Sequence, residues 1–287
     1  MAPLFFFVFV FVSHVQSQAL LSVMEQHVEL SAFNHYVNSS STLTSLFSSA
    51  NNITLLAPSN AAFQTWLSNR SPTLSSDQIE ALLSYHVLHG VFPTVSLSPK
   101  PQFASSFLTN TSYANVTSGQ KVEFLPTING DPQIVSGNKS ISDFSTKDIL
   151  FTGGLIQIID TVLTIPLSYE LLVTQANLCA ADANLVNAVL YRPNMTFFAP
   201  NTQEALAAFN EIAPNMSQSE LAGAFNYHAI PNFIGYSSQL KSGMQLKTAQ
   251  GTNVTITIQG NTTFVNGAKI VTSDYLVANG VVHMIDG

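Results

Sequence analysis

Leu4 to Val12 is an unbroken apolar run of nine residues, followed by the polar residues Ser13, His14, Gln16 and Ser17. A helix needs about 20 apolar residues to cross a bilayer core, so this run is too short to span one. Its length suits the apolar part of a secretory signal peptide. Val15 and Ser17 supply the small residues at −3 and −1 for cleavage before Gln18, although no Lys or Arg precedes the run. Residues 1–17 therefore read as a signal peptide. Beyond it, Leu20–Val37 carries apolar residues at helical spacing, and Leu43–Phe47 reads as a short second helix. Ile53-Thr54-Leu55-Leu56-Ala57-Pro58 is a compact apolar strand that ends on proline. A helical region follows, and then Ser75-x-x-Gln78, a capping box in which each side chain bonds an orphan N–H of the other. The helix that it opens places Ile79, Leu82 and Leu83 on one face and delivers Tyr85-His86.

The same order recurs. At an offset of 142, Ile53–Pro58 falls on Met195–Pro200, Ser75/Gln78 on Ser217/Glu220, and Tyr85-His86 on Tyr227-His228. At a shorter offset of 126, Asp148-Ile149-Leu150 and Gly154–Asp160 fall on Asp274-Tyr275-Leu276 and Gly280–Asp286. The first copy thus holds about 16 extra residues between these landmarks, expected as an enlarged surface loop within Val91–Asn115. In the second copy the opening helices are expected at Tyr169–Leu178 and Leu185–Leu190. Turn signals separate the later strands at Gly260-Asn261 and Asn266-Gly267, with Asn129-Gly130-Asp131-Pro132 in the first copy. Helices first and strands afterwards predict two α+β modules, 18–166 and 167–287, joined at Ile165-Pro166-Leu167-Ser168.

Composition narrows the function. Hydrophobic residues make up 46% of the chain and charged residues only 9%, against about 25% charged in ordinary soluble domains. Ser, Thr and Asn fill the deficit, so glycans are the expected source of solubility. Asn-x-Ser/Thr occurs at Asn38, Asn52, Asn69, Asn110, Asn115, Asn138, Asn194, Asn215, Asn253 and Asn261, the last but one in a strand-like run. Asn52 and Asn194 hold equivalent places before the two Ala-Pro strands, which predicts a glycan on the same edge of each module. A net charge of −7 leaves no basic footprint for nucleic acid. Cys179 is the only cysteine, so no intrachain disulfide exists, and its apolar setting reads as a buried inert thiol.

Taken together, these boxes resemble the fasciclin I repeat. Thr54–Phe63 (TLLAPSNAAF) matches the first box, and Thr196–Thr202 keeps the strand without the Asn and Phe that follow it. The central Tyr-His pair is present twice. The second box lies at Gly153–Leu163, where Gln157 replaces the family's histidine, and at Asn279–Asp286, where His283 keeps it. The resemblance covers nearly the whole mature chain. It implies a wedge-shaped β-sandwich with helices packed at one end of each module. It also implies a further V-L-x-P segment after Asp286-Gly287, so the C-terminal strand of the second module reads as incomplete. Membrane attachment would then depend on a C-terminal anchor beyond that point. In animal relatives, Asp-Ile segments and the Tyr-His region are implicated in partner contact. The matching positions are Asp148, Ile149 and Asp274, with Tyr85 and His86, while Tyr227, His228 and His283 are their companions in the second module. Each is read here as structural first and partner-binding second.

No catalytic or cofactor constellation emerges. His86 and His89 have helical spacing for a metal, but the second copy has Pro231 in place of the latter. There is no G-x-S-x-G elbow, Cys-His pair or phosphate loop, and Asp160 and Asp286 read as strand-end caps. The expectation is a non-enzymatic secreted glycoprotein without cofactor or metal. It would bind cell-surface or wall glycoproteins and polysaccharides through two low-affinity modules. A small-molecule or lipid carrier, and an endomembrane or vacuolar destination, are the alternatives.

Overall fold

A computed structural model describes residues 18–69, 74–127, 129–168 and 191–287. The expected signal peptide (residues 1–17), both helices expected within 169–190 and Cys179 lie outside the described residues. The first module opens with α1 (Leu20–Gln26), α2 (Ser31–Asn38) and α3 (Ser41–Ser48). The single amphipathic stretch expected over Leu20–Val37 is therefore two helices, because His27 is extended (φ −99°, ψ 97°) and a 3₁₀ turn covers Val28–Leu30. Asn60 fixes that break from outside. Its Oδ1 accepts from the Ala32 N–H at 2.9 Å, and its Nδ2 donates to the Val28 carbonyl at 2.9 Å and to Ser31 Oγ at 3.0 Å. The bend lets Leu20, Val23 and Met24 of one helix and Phe33 and Val37 of the next enter one core together.

β1 (Ile53–Pro58) is buried along its whole length. It is followed by α4 (Asn60–Ser68) and α5 (Ser76–Tyr85), the latter opened by the expected capping box at Ser75 and Gln78. β2 (Val87–His89) then pairs antiparallel with β1, so His89 sits on a strand and not on the helix that carries Tyr85. β3 (Gln102–Ser105), β4 (Lys121–Pro126), β5 (Pro132–Val135) and β6 (Ile141–Ser142) form one sheet, and β7 (Phe144–Phe151) with β8 (Gly154–Ile159) completes the other in the order β2-β1-β8-β7. β8 lies parallel to β1, from Ile53 opposite Gly154 to Pro58 opposite Ile159. A Cβ on Gly154 would lie 2.0 Å from the Ile53 carbonyl oxygen. That close approach explains why this strand starts on glycine.

The second module repeats the plan with β9 (Met195–Pro200), α6 (Gln203–Ile212), α7 (Gln218–Tyr227) and β10 (Ala229–Ile230). β11 (Gln245–Lys247), β12 (Asn253–Gln259), β13 (Thr262–Val265), β14 (Ala268–Val277) and β15 (Gly280–Ile285) follow. α7 again carries both halves of its capping box, at Ser217 and Glu220. β15 runs for six residues and pairs with β9 from Met195 opposite Gly280 to Pro200 opposite Ile285, matching β8 against β1. Gly260-Asn261 and Asn266-Gly267 form two-residue turns between strands, as their sequence predicts. Here the strands join into one seven-stranded sheet, because the long β14 pairs with β15 along one part and with β13 at the other.

The expected enlarged loop is displaced from where the sequence placed it. β3 lies inside Val91–Asn115 and still stands 143 residues before β11, from Gln102 to Gln245. The offset falls to 132 at β4 and β12 and to 126 at β8 and β15, so the extra residues lie after β3, in Ser106–Gln120 and around Ser136–Asp143. Both segments touch the second module. Gln120 Nε2 donates to the Val277 carbonyl at 3.0 Å, the Asn115 N–H to the Ala278 carbonyl at 2.6 Å, and Tyr275 Oη to Asn138 Oδ1. Phe103 stacks on Tyr236 with ring centroids 4.1 Å apart, and Ile234, Leu276 and Val281 complete that apolar contact.

Candidate functional site

β7 and β14 each carry a bulge, and at each an aspartate takes a left-handed backbone: Asp148 and Asp274 both have φ 59°. Asp is one of the few residues that tolerate this conformation, provided that its side chain is held. In the first module the Asp148 N–H donates to Gln157 Oε1 at 2.9 Å. Gln157 Nε2 in turn donates to Asp148 Oδ1 at 2.7 Å and to the Phe92 carbonyl at 3.3 Å. Thr94 adds its N–H to Asp148 Oδ1 at 2.9 Å and its hydroxyl to Oδ2. Burial alone would raise the Asp148 pKa; the Thr94 and Gln157 bonds outweigh it, and the carboxyl lies below its usual value.

His283 does the same work in the second module. The Asp274 N–H donates to His283 Nδ1 at 3.4 Å, which leaves Nε2 as the donor to the Gly235 carbonyl at 2.7 Å. Asp274 Oδ1 accepts from the Ser237 N–H at 2.7 Å. A neutral imidazole with Nδ1 accepting and Nε2 donating is matched, atom for atom in role, by the Oε1 and Nε2 of glutamine. Gln157 therefore replaces the family's histidine without breaking the bracket. Burial drives the His283 pKa down, against the pull of Asp274.

The two Tyr-His pairs end their helices differently. Tyr85 and His86 are fully buried. Tyr85 Oη donates to the Lys121 carbonyl at 2.8 Å, and burial raises its pKa well above the usual tyrosine value. His86 Nε2 accepts from the Leu163 N–H at 3.0 Å, so Nδ1 is the protonated nitrogen that donates to the Leu82 carbonyl at 2.8 Å. Burial lowers the His86 pKa to about 4. In the second module His228 Nδ1 bonds the Phe198 carbonyl at 2.8 Å, and Tyr227 Oη accepts from Asn266 Nδ2 at 2.7 Å. Both are half-buried and line an open cleft of about 200 Å³ with Phe198, Val254, Val265 and Ile285. Burial lowers the His228 pKa as well.

The motif residues thus form three brackets and one open cleft. His89 stacks on Phe107 at 3.8 Å, apart from the sealed His86. Asp160 Oδ1 accepts from the Asp143 N–H at 2.9 Å and Asp286 Oδ1 from the Lys269 N–H at 2.7 Å, equivalent strand-end caps as expected. Among the described residues, no three His, Cys, Asp or Glu gather closely enough to hold a metal, and no helix is long and apolar enough to cross a membrane. The two bulged strands differ in exposure: Asp148 is half-buried and Leu150 is 75% exposed, whereas their equivalents Asp274 and Leu276 are buried; Ile149 and its equivalent Tyr275 are both half-buried. Thr54 and Thr196, the hydroxyl residues of the Asn52 and Asn194 sequons, are both fully buried.

One group went unremarked in the sequence. Glu123 on β4 is only 2% exposed and bonds Lys139 Nζ at 3.2 Å. Burial, with a smaller contribution from the nearby Asp274, pushes its pKa up to about 7 against the pull of Lys139. The cue was a lone acid inside the apolar run Lys121–Pro126.

The Fasciclin domain family matches residues 28–166 and 173–287. A fasciclin-like arabinogalactan protein of Arthroderma benhamiae is 27% identical over 270 residues, covering 90% of this chain and 63% of the relative. The fasciclin-like arabinogalactan protein elcF of Phaeosphaeria nodorum is 27% identical over 281 residues, covering 94% and 88%. Among solved structures, the FAS1 domain pair of the insect cell adhesion molecule Fasciclin I aligns at 15% identity with a TM-score of 0.41, covering 90% of this chain and 95% of that one. The chain spans a little under two thirds of the first of these relatives. With a match in each half and the same boxes folded into the same brackets, the chain belongs to the fasciclin domain family, as a tandem pair.

Proposed function

We propose that this protein is a secreted glycoprotein of the cell surface, wall or extracellular matrix, and that it acts by adhesion through low-affinity contacts of its two modules. It carries out no catalysis. The observation that carries the reading is the division of polar groups. The titratable motif residues are tied to backbone inside each module, while eight sequon asparagines stand exposed across both. The names of the fungal relatives as arabinogalactan proteins support an extracellular or wall setting. Two modules on one chain raise avidity, because the second contact becomes intramolecular. The test is to coat beads with the full secreted chain and measure retention on wall polysaccharide and on cell-surface glycoprotein, against albumin-coated beads. Retention above that control is expected; retention no higher than that of the albumin-coated beads on both surfaces overturns the reading.

The cleft beside Tyr227 and His228 supports a second reading, a carrier of small apolar molecules. At about 200 Å³ it is smaller than the roughly 300–1,000 Å³ of ordinary ligand pockets, which ranks it behind adhesion. Native mass spectrometry of the secreted protein tests it: a retained ligand favours the carrier.

A further inference from the structure

The ten sequons separate by surroundings. Asn38, Asn52, Asn69, Asn110, Asn138, Asn215, Asn253 and Asn261 are exposed, whereas Asn115 and Asn194 are half-buried. Those two meet across the junction between the modules. Asn194 Oδ1 accepts from the Thr117 N–H at 2.8 Å, and Asn194 Nδ2 donates to Thr117 Oγ1 at 2.7 Å. One amide is thus satisfied at both ends by one residue, and Thr117 is itself the hydroxyl residue of the Asn115 sequon. Asn115 Nδ2 donates to the Tyr191 carbonyl at 2.8 Å, and its own carbonyl accepts from the Asn194 N–H at 3.3 Å. The amide nitrogen of each sequon is therefore engaged in holding the other module.

N-glycosylation joins the sugar to Nδ2 and needs the hydroxyl of the sequon within reach. Thr196, the hydroxyl residue for Asn194, is fully buried: its Oγ1 donates to the Phe233 carbonyl at 2.7 Å and accepts from the Gly235 N–H at 2.7 Å. A sugar can reach Asn194 only before β9 is enclosed. Once attached, it takes one of the two Nδ2 hydrogens and adds a bulky ring at a half-buried position, where Thr117 now sits. Asn52 is the matched case without this conflict. It has the same left-handed backbone (φ 54° against 57°) and an equally buried threonine, but its own side chain is exposed.

We propose that Asn115, Thr117 and Asn194 form a glycan-sensitive clamp between the modules. Chains with both asparagines unmodified are docked, a sugar on Asn194 holds the junction open, and the glycan coat resides on the eight exposed sequons. The clamp is tested on full chain made without glycosylation, by amide hydrogen exchange at Asn115 and Ala278, whose N–H groups bond across or beside the junction. N194A is expected to speed both amides tenfold or more, and T117V to speed them less. N52A carries the same backbone strain and is expected to leave them unchanged. Slow exchange within β1 and β8, and within β12 and β13, in every variant certifies that both modules remain folded. Junction amides equally protected in N194A and N52A overturn the clamp. Glycan sensitivity is tested on chain secreted from a eukaryotic host, by glycopeptide mapping and exchange on one sample. Unmodified Asn115 and Asn194 with a protected junction, or modified Asn194 with an unprotected one, supports the proposal. Modified Asn194 with a protected junction overturns it.

Discussion

Replacing Glu123 by glutamine should stabilise the protein, and by an amount that grows with pH. Glu123 ionises in the unfolded chain near 4.5 and in the folded chain near 7, because its carboxylate has left water for the space between β4 and the second module. Lys139 lies within bonding distance but does not repay the loss, and Asp274 adds repulsion. Between those two values the folded state binds the extra proton, so stability falls as pH rises through the window. A difference of about 2.5 units corresponds to about 3 kcal/mol at full ionisation. This figure already includes the Lys139 attraction, in keeping with the general finding that a buried ion pair often fails to offset its own desolvation. Urea unfolding of wild type and E123Q at pH 4.5, 6 and 8 reads the effect directly, since subtracting one from the other cancels every other titrating group. The two should differ little at pH 4.5, and E123Q should gain about 3 kcal/mol on wild type by pH 8. A difference that stays constant with pH, or that shrinks as pH rises, refutes the argument and means that Lys139 holds the carboxylate in its ordinary range.

His86 has the opposite sign: its folded value of about 4 lies below the ordinary 6.5, so the stability it contributes is present above 6.5 and lost as pH falls toward 4. In E123Q, where nothing in β4 opposes it, acidification across that range should cost at least about 3 kcal/mol in the same urea series, because His228 and His283, whose values burial also lowers, titrate with the same sign. Gly154→Ala places a methyl 2.0 Å from the Ile53 oxygen and should cost more than about 4 kcal/mol, whereas Gly130→Ala, with φ +86° and open space around it, should cost about 1 kcal/mol. Thermal unfolding of the two variants checks the contrast. Gln157→His should stay within about 1 kcal/mol of wild type by keeping the bonds to the Asp148 N–H and the Phe92 carbonyl, since Thr94 still holds the Asp148 carboxylate when the second Nε2 hydrogen is lost, while Gln157→Leu orphans the Asp148 N–H and the Phe92 carbonyl and should cost about 2–3 kcal/mol. Equal losses in that pair would sink the account of Gln157 as a stand-in for neutral histidine.

Much of each module was legible because the signals were local. Ser75 and Gln78 satisfy each other within one helical turn, and Asn266-Gly267 fills a two-residue turn, so spacing alone located both. Asn60 shows the limit. Its box marks a strand-to-helix turn, but what it bonds is a break 28 to 32 residues earlier, and no periodicity announces that. For the same reason the Leu20–Val37 stretch read as one helix, since its apolar spacing continues across a bend fixed from outside. The bracket around Asp148 was out of reach too, because Thr94, Asp148 and Gln157 converge only once β7 and the segment after β2 are folded together.

The asymmetry between the two copies tells more about the assembled chain than their likeness does. Where the copies agree, the shared residues build the module: Gly154 and Gly280 admit a close strand, and the two aspartate bulges are braced alike. Where they disagree, the first copy has residues that the second lacks, and a structure repeated for its own stability does not require them. Those residues supply Asn115, Thr117, Gln120, Asn138 and Lys139, all of which face or flank the second module. The same contact buries Asp274 and Leu276 while leaving the equivalent edge at Leu150 open. The insertion thus converts two similar modules into an ordered pair with one covered and one uncovered edge, which two identical repeats joined by the same linker would not produce. A drop in repeat offset along a tandem chain is therefore a place to look for the contact between its repeats.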